Sequence, residues 1–215
     1  MHRAITLAQE TLHALPSGAL YWPAQRLLAV SDLHLGKSDR LARRGGALLP
    51  PYETVATLER LDVDIARQNP ATVLCLGDSF DDLAAADSLS ESGALWLNRL
   101  MAGRDWIWIT GNHDPAPTGI SGTHRAEVKI GQLTFRHIAD PSENHEISGH
   151  YHPKASLSGR TRPCFLADTA RIILPAYGTY TGGLWCQDAT LAGLMQPAAL
   201  AILTGHKALA IPMPR

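Results

Sequence analysis

Trp108 to Asp114 reads WITGNHD. The apolar residues describe a strand ending at Ile109, and Gly111 turns the chain. An amide, an imidazole and a carboxylate then follow in succession: Asn112, His113 and Asp114. Two other segments share this design. Leu27 to Val30 runs into SDLHLG, and Thr72 to Leu76 runs into GDSFDD. Each apolar run is followed by glycine or serine and then by acids or histidines. The pattern predicts three neighbouring strands whose C-terminal loops meet at one rim.

Helical patterns lie between these strands. PPYETVATLERLDVDIARQNP carries Pro51 near its start, Val55, Leu58, Leu61 and Ile65 at helical spacing, and Pro70 past its end. An alanine-rich stretch from about Leu83 to Met101 places Leu97, Leu100 and Met101 on one face. The second half is richer in strand signals. Arg125 to Ile130, Gly131, and Leu133 to His137 read as a hairpin; Glu146 to Gly149, Pro163 to Ala167 and Arg171 to Leu174 read as short strands. Ala4 to Val30 is also stranded, with turns at Pro16-Ser17-Gly18 and at Pro23. No linker separates the halves. The expectation is one α/β domain over residues 1–215: two mixed sheets face to face with helices outside, a four-layer αββα sandwich.

The chain has 215 residues, 45% hydrophobic and 18% charged, with a formal net charge of -1. That balance suits a soluble globular protein and leaves nucleic-acid binding to local patches. Cys75, Cys164 and Cys186 show no CxxC spacing and read as reduced thiols of a cytoplasmic protein. MHRAITLAQETLHAL lacks the basic start and compact apolar run of a signal peptide. Ala189 to His206 carries no Asp, Glu, Lys or Arg, but Gly193, Gln196, Pro197 and Thr204 make it a poor membrane span.

The rim collects Asp32 and His34, Asp78 and Asp81, Asn112 and His113, then His137, and then His150 and His152 from SGHYH. Carboxylates mixed with imidazoles suit Mn, Fe or Zn better than Ca or Mg. The donors exceed the roughly four to six positions of a single ion and fit two ions with a shared ligand. In Asp32-x-His34 and His150-x-His152 the side chains are two apart, so on an extended segment both point into one cavity. Gly36, Gly77, Gly111 and Gly149 adjoin these clusters, where backbone must turn sharply or approach a substrate. Each motif is common alone; the ordered set DxH, GDxxD, GNHD, H, GHxH is not.

From Ser31 to Pro153 this set resembles the calcineurin-like metallophosphoesterases. With SDLHLGK, RLARRGGALLPP, FRHIADP and EISGHYHPKA nearly the whole chain is similar to the bacterial ligase-associated DNA-damage-response phosphoesterases, the PdeM-like endonuclease group. The resemblance implies one metal on Asp32, His34 and His152. It implies that Asp78 bridges to a second metal on Asn112, His137 and His150. The ions implied are two divalent cations, Mn2+ first and Fe or Zn next. His113 would be the acid facing the scissile phosphate, and Asp81 would orient it by accepting its hydrogen bond. Asp114 would support the loop. A hydroxide bridging the metals would attack phosphorus in line.

Lys37, Arg40, Arg43 and Arg44 follow the first loop, and Lys154, Arg160 and Arg162 follow His152. Cations on both sides of the cut would hold the phosphates of a DNA strand. Trp106, Trp108 and Trp185 are candidates for stacking on bases, but strand-core or hairpin packing is the expected role of each. His145 is a weaker candidate for substrate contact. AYGTYTGG reads as a turn near the cavity. Asp82 stands where phosphoprotein phosphatases carry an arginine fork, which argues against phosphoprotein substrates. The expected activity is therefore a DNA phosphodiesterase or endonuclease linked to repair. A phosphodiesterase for cyclic nucleotides or nucleotide-lipids is the alternative. By resemblance alone, a DNA ligase and a helicase are the expected partners, and the oligomeric state stays open between monomer and homodimer.

Overall fold

The computed structural model describes residues 1–43, 45, 52–82, 89–114 and 119–215, without the side chains of residues 39, 42 and 43. Arg44, Pro51 and the first part of the second expected helix, residues 83–88, lie outside the described residues.

Two sheets form the centre. The first has the order β1 (Arg3–Leu7), β2 (Glu10–Ala14), β3 (Leu20–Trp22), β4 (Leu27–Val30), β5 (Thr72–Leu76), β6 (Asp105–Ile109) and β7 (Thr123–Arg125). Strands β1 to β4 are antiparallel, and β4 to β7 run parallel with Val30 opposite Cys75 and Cys75 opposite Trp108. The second sheet is built from β8 (Glu127–Ile130), β9 (Leu133–Arg136), β10 (Glu146–Ser148), β11 (Lys154–Leu157), β12 (Arg160–Ala167), β13 (Arg171–Ile173), β14 (Leu200–Leu203) and β15 (Leu209–Pro212). Its order is β15-β14-β12-β13-β10-β9-β8, with β11 paired to β12. The parallel pairs are β9 with β10 and β10 with β13.

Alternation along each strand sorts the side chains between layers. Leu27, Ala29, Leu74, Leu76 and Ile109 meet Phe135, Ile147, Phe165, Ile172 and Ile202 between the sheets. Leu28, Val30, Val73, Cys75, Trp106 and Trp108 face the other way, against helices. Strands buried on both faces read as continuous apolar runs, which is why β4, β5 and β6 were visible in the sequence.

The helices are α1 (Lys37–Arg43), α2 (Glu53–Gln68), α3 (Glu91–Met101) and α4 (Ala189–Leu194). Helix α2 packs Leu58, Leu61 and Ile65 on the first sheet and stops at Asn69, whose φ of 45° is a left-handed cap. Val55 does not join that face; it sits in the first turn, 47% exposed. Helix α3 begins at Ser90, whose hydroxyl accepts from the Gly93 N–H at 3.2 Å. On the outer face of the second sheet the helical layer is thin. Leu191 of α4 packs there with Cys186, Met195 and Met213 over Cys164, Leu166 and Ile173. The uncharged stretch 189–206 thus divides into α4 and β14. Among the described residues, no helix is long and apolar enough to cross a membrane.

Asp64 of α2 accepts a hydrogen bond from the Tyr177 hydroxyl at 2.9 Å. Burial raises the Asp64 pKa, outweighing the lowering by Ser17, Tyr177, Arg67 and Arg60. A raised folded-state value gives stability that is full below the unfolded carboxylate range and is lost as pH rises through the folded value. Asp64 alone should therefore lower the urea midpoint on going from acidic to neutral pH, against the rise contributed by Asp32 and Asp78, and Asp64→Asn should make the midpoint rise more over that range than in the native protein. An unchanged pH profile in the variant would contradict this assignment.

Candidate metal centre

The donors sit where the parallel strands end. Ser31, Asp32 and His34 follow β4; Asp78 and Asp81 follow β5; Asn112, His113 and Asp114 follow β6. From the second sheet, His137 follows β9, and His150 and His152 follow β10. The C-terminal ends of strands in an open α/β sheet form the crevice where ligands bind.

The loops are fastened to one another by backbone. Asp32 N donates to Gly77 O at 3.2 Å, His34 N to Asp78 O at 3.0 Å, Leu35 N to Ser79 O at 3.0 Å and Asp81 N back to Leu35 O at 3.0 Å. The extended geometry expected for Asp32-x-His34 and His150-x-His152 is replaced by left-handed backbone. Asp32, His34, Asp78, His150 and His152 have φ of 53°, 45°, 47°, 71° and 46°. Such values cost non-glycine residues about 1–3 kcal/mol each and cluster at functional sites. Two glycines are required by crowding rather than by turning. A Cβ on Gly111 would strike the Asp78 carboxylate and backbone, and one on Gly149 would strike Ser31 Oγ and the Asp32 carboxylate.

Three donor groups result among the described residues. Asp32, His34 and His152 form the first, and Asp78, His137 and His150 the second; His34, Asp81 and His113 form a third beside the first, and the donor atoms within each group lie within 4.8 Å of one another. Each carboxylate spends one oxygen on its own chain. Asp32 Oδ2 accepts from Ser31 Oγ at 2.5 Å and from His150 N at 3.0 Å. Asp32 Oδ1 lies 3.0 Å from His152 Nε2, yet both are buried without a hydrogen-bond partner among the described residues. Asp78 Oδ1 accepts from His113 N at 2.8 Å, and Oδ2 lies 3.4 Å from His137 Nε2. His137 Nδ1 is 2.8 Å from the Leu76 carbonyl, which makes Nδ1 the donor and leaves Nε2 a lone pair. That nitrogen is 2.9 Å from Asn112 Oδ1 and 3.3 Å from His150 Nδ1. Bare oxygen and nitrogen atoms facing one another are what a divalent cation satisfies.

The electrostatics agree. Burial alone would raise both aspartates. Without a cation, Asp78 and Asp32 outweigh burial and raise the His137 pKa, and a second proton on His137 at Nε2, with the His113 N–H, overcomes burial and holds the Asp78 carboxyl at about 2; a bound cation would take the place of that proton. For Asp32, His152, His137 and Ser31 likewise overcome burial, and its pKa is lowered.

Asp81 differs from the expectation. Its carboxylate does not reach His113. Oδ1 lies 2.8 Å from His34 Nδ1 and 3.9 Å from Lys37 Nζ, and Oδ2 accepts from Arg40 Nε. His113 Nδ1 is instead 2.9 Å from the Asp81 backbone carbonyl. The resemblance implied that the Asp81 carboxylate orients His113; the structure gives the carboxylate to His34 and leaves His113 only the Asp81 backbone carbonyl. Asp114 supports the loops as expected, its carboxylate accepting from the N–H groups of Asp78, Ser79, Phe80 and Gly111 at 2.8 to 3.2 Å.

The basic residues are more occupied than their spacing implied. Lys37 and Arg40 face Asp81, and Arg162 donates to the Thr204 carbonyl at 3.2 Å. Lys154 lies over the Trp185 ring, 4.9 Å from its centroid. Arg160 is exposed at the end of the β11–β12 hairpin. Arg43 lies in α1, with only its backbone described. Trp106 and Trp108 are core residues, whereas Trp185 is 44% exposed and does not pack inside. His145 precedes β10, at the end of the strand remote from His150. Sequence reasoning gave no role to Ser31 or to the buried Glu146, which pairs with Arg171 at 3.0 Å.

Fold and site together define a metal-dependent hydrolase of phosphoric esters. Residues 25–207 match the calcineurin-like phosphoesterase model, and the chain belongs to that family. A solved Pseudomonas putida nuclease, MPE, is 29% identical, with a TM-score of 0.74 over 94% of this chain and 96% of that one. YfcE, a phosphoesterase from E. coli, aligns at 12% identity and a TM-score of 0.37 over 74% of this chain and 83% of that one. No curated protein matches the sequence.

Proposed function

We propose that this chain is a phosphodiesterase that cuts DNA with two divalent ions. Asp32, His34 and His152 would hold one ion, and Asn112, His137 and His150 the other, with Asp78 shared; the donor mix suits Mn2+. One observation carries the reading. Asp32 Oδ1, His34 Nε2 and His152 Nε2 converge, buried and with no hydrogen-bond partner outside their own group among the described residues. The likeness to a nuclease along nearly the whole chain supports DNA as the substrate. The motif resemblance to the ligase-associated group supports a place in repair, beside a ligase and a helicase in the cytoplasm.

Ions held there supply Lewis-acid charge for the phosphoryl oxygens and acidify water. The chain's own residues do the rest. His113 donates its Nδ1–H to the Asp81 carbonyl, which leaves Nε2 for the substrate; in the imidazolium form Nε2–H would pass its proton to the leaving alkoxide and return to the neutral ring. The Asn112 amide adds an oxygen donor without a negative charge to repel phosphate. Asp81 holds the His34 ring from behind. Asp81→Asn should lower Mn2+ affinity by about 10–100-fold in a calorimetric titration, the usual effect of losing such a partner. Native affinity in the variant would sink that role.

The occupied state of Lys37, Arg40 and Arg162 favours a second reading, a diesterase for a small nucleotide. Mn-loaded protein assayed on single-stranded DNA, a cyclic dinucleotide and bis(p-nitrophenyl) phosphate separates the two. Cleavage of DNA supports the first reading. Cleavage of the cyclic substrate alone, with DNA neither cut nor competing, overturns it.

A further inference from the structure

Among the described residues, three of the Phe, Tyr and Trp side chains are exposed: Tyr52, Tyr180 and Trp185. Two of the three belong to one segment, and that segment crosses the first donor group. At its start Tyr177 N donates to Ser31 O at 2.8 Å and Gly178 N to Asp32 O at 3.0 Å. At its end Gly183 packs so closely on the His152 carbonyl that a Cβ there would collide with it. Leu184 N then donates to Tyr151 O at 3.2 Å, and Lys154 N to Leu184 O at 2.9 Å. Residues 178–183 therefore arch from Asp32 to His152. Tyr180 stands in that arch, 41% exposed, with a φ of 61° that a bulky side chain rarely adopts. Trp185 lies beside Lys154, two residues beyond His152, and is held by backbone pairing with it.

We infer that Tyr180 and Trp185 are the base-stacking surface of the proposed nuclease, taking nucleobases of a single strand next to the phosphate being cut. The inference rests on the DNA reading above and adds to it the residues that hold the bases. The aromatic area left in water on these two rings gains by being covered, and a planar base covers it without regard to sequence. The Lys154 ammonium over the indole fixes the ring and places a cation beside the strand's phosphates. A duplex would present its edges here; only an unpaired strand offers base faces. The arch also explains Gly178 and Gly183 of AYGTYTGG, which let it lie against Leu33 and His152.

The test compares two substrates of equal length, oligothymidylate and the same strand with abasic sites, cut by Mn-loaded protein. The native protein should show a KM about tenfold higher for the abasic strand. In Trp185→Ala and Tyr180→Ala that ratio should fall toward one, and Trp185→Phe should restore it. Titration with a non-cleavable phosphorothioate oligothymidylate should quench indole fluorescence in the native protein and much less in Trp185→Phe. A native ratio near one, or variants that keep the native ratio, would overturn the inference while leaving DNA cleavage intact. Protein that hydrolyses bis(p-nitrophenyl) phosphate but neither cuts nor binds either strand would overturn the DNA reading itself, and the inference with it.

Discussion

His113→Ala should lower kcat on a DNA strand by about 10²–10⁴-fold, the usual contribution of a positioned acid, while metal content stays at the native level. The reasoning is geometric. The ring is absent from the groups that hold Asp32 and Asp78; it shares a third with His34 and Asp81, lying edge-on to His34 with 5.1 Å between centroids, but the Asp81 carboxylate there is already taken by His34, Lys37 and Arg40. Its Nδ1 is committed to the Asp81 carbonyl. The loss should shrink on bis(p-nitrophenyl) phosphate, whose leaving group needs little protonation. Asp78→Ala should behave in the opposite way and lose bound metal first. Elemental analysis of the two variants, read beside their turnover, decides the matter. Equal metal loss in both would refute the division of labour.

Asp114→Ala should destabilise the fold by about 3–5 kcal/mol. One buried carboxylate accepts from four backbone N–H groups, three on the loop after β5 and one on the loop after β6. Removing it leaves four donors unsatisfied in a water-poor interior, at about 1–3 kcal/mol each before relaxation. Relaxation and water entry reduce the sum. Asp114→Asn keeps an oxygen but adds an amide that clashes with these donors, so it should recover only part of the loss. Urea denaturation measures both. A cost below about 1 kcal/mol for the alanine variant would mean that the loops hold without this clamp.

Much of this was legible in the chain itself, for identifiable reasons. Strands β4, β5 and β6 are buried on both faces, so their runs are continuous and their ends marked by polar residues. The donors showed through their chemistry: Asp, Asn and His at strand ends have few other uses in such an order. Direction was not legible. The resemblance implied that Asp81 orients His113, and the carboxylate went to His34 instead, because the left-handed φ of His34 is a property of the loops together. The partners of Lys37, Arg40 and Arg162 were not legible either, since an acid or a carbonyl distant in sequence meets each of them. Trp185 looked like hairpin packing because a tryptophan near a strand usually is; its exposure depends on residues 183–186 running along the outside of 151–154.

Five donor residues held at positive φ have a thermal consequence. Their combined strain, on the order of 5 kcal/mol at the low end of the usual range, rivals the whole margin by which a small domain stays folded. Cations that bind only the native form return part of that margin by mass action. Heat tolerance and trace-element supply should thus rise and fall together, and starvation for the right ion would thin out the protein as well as idle it.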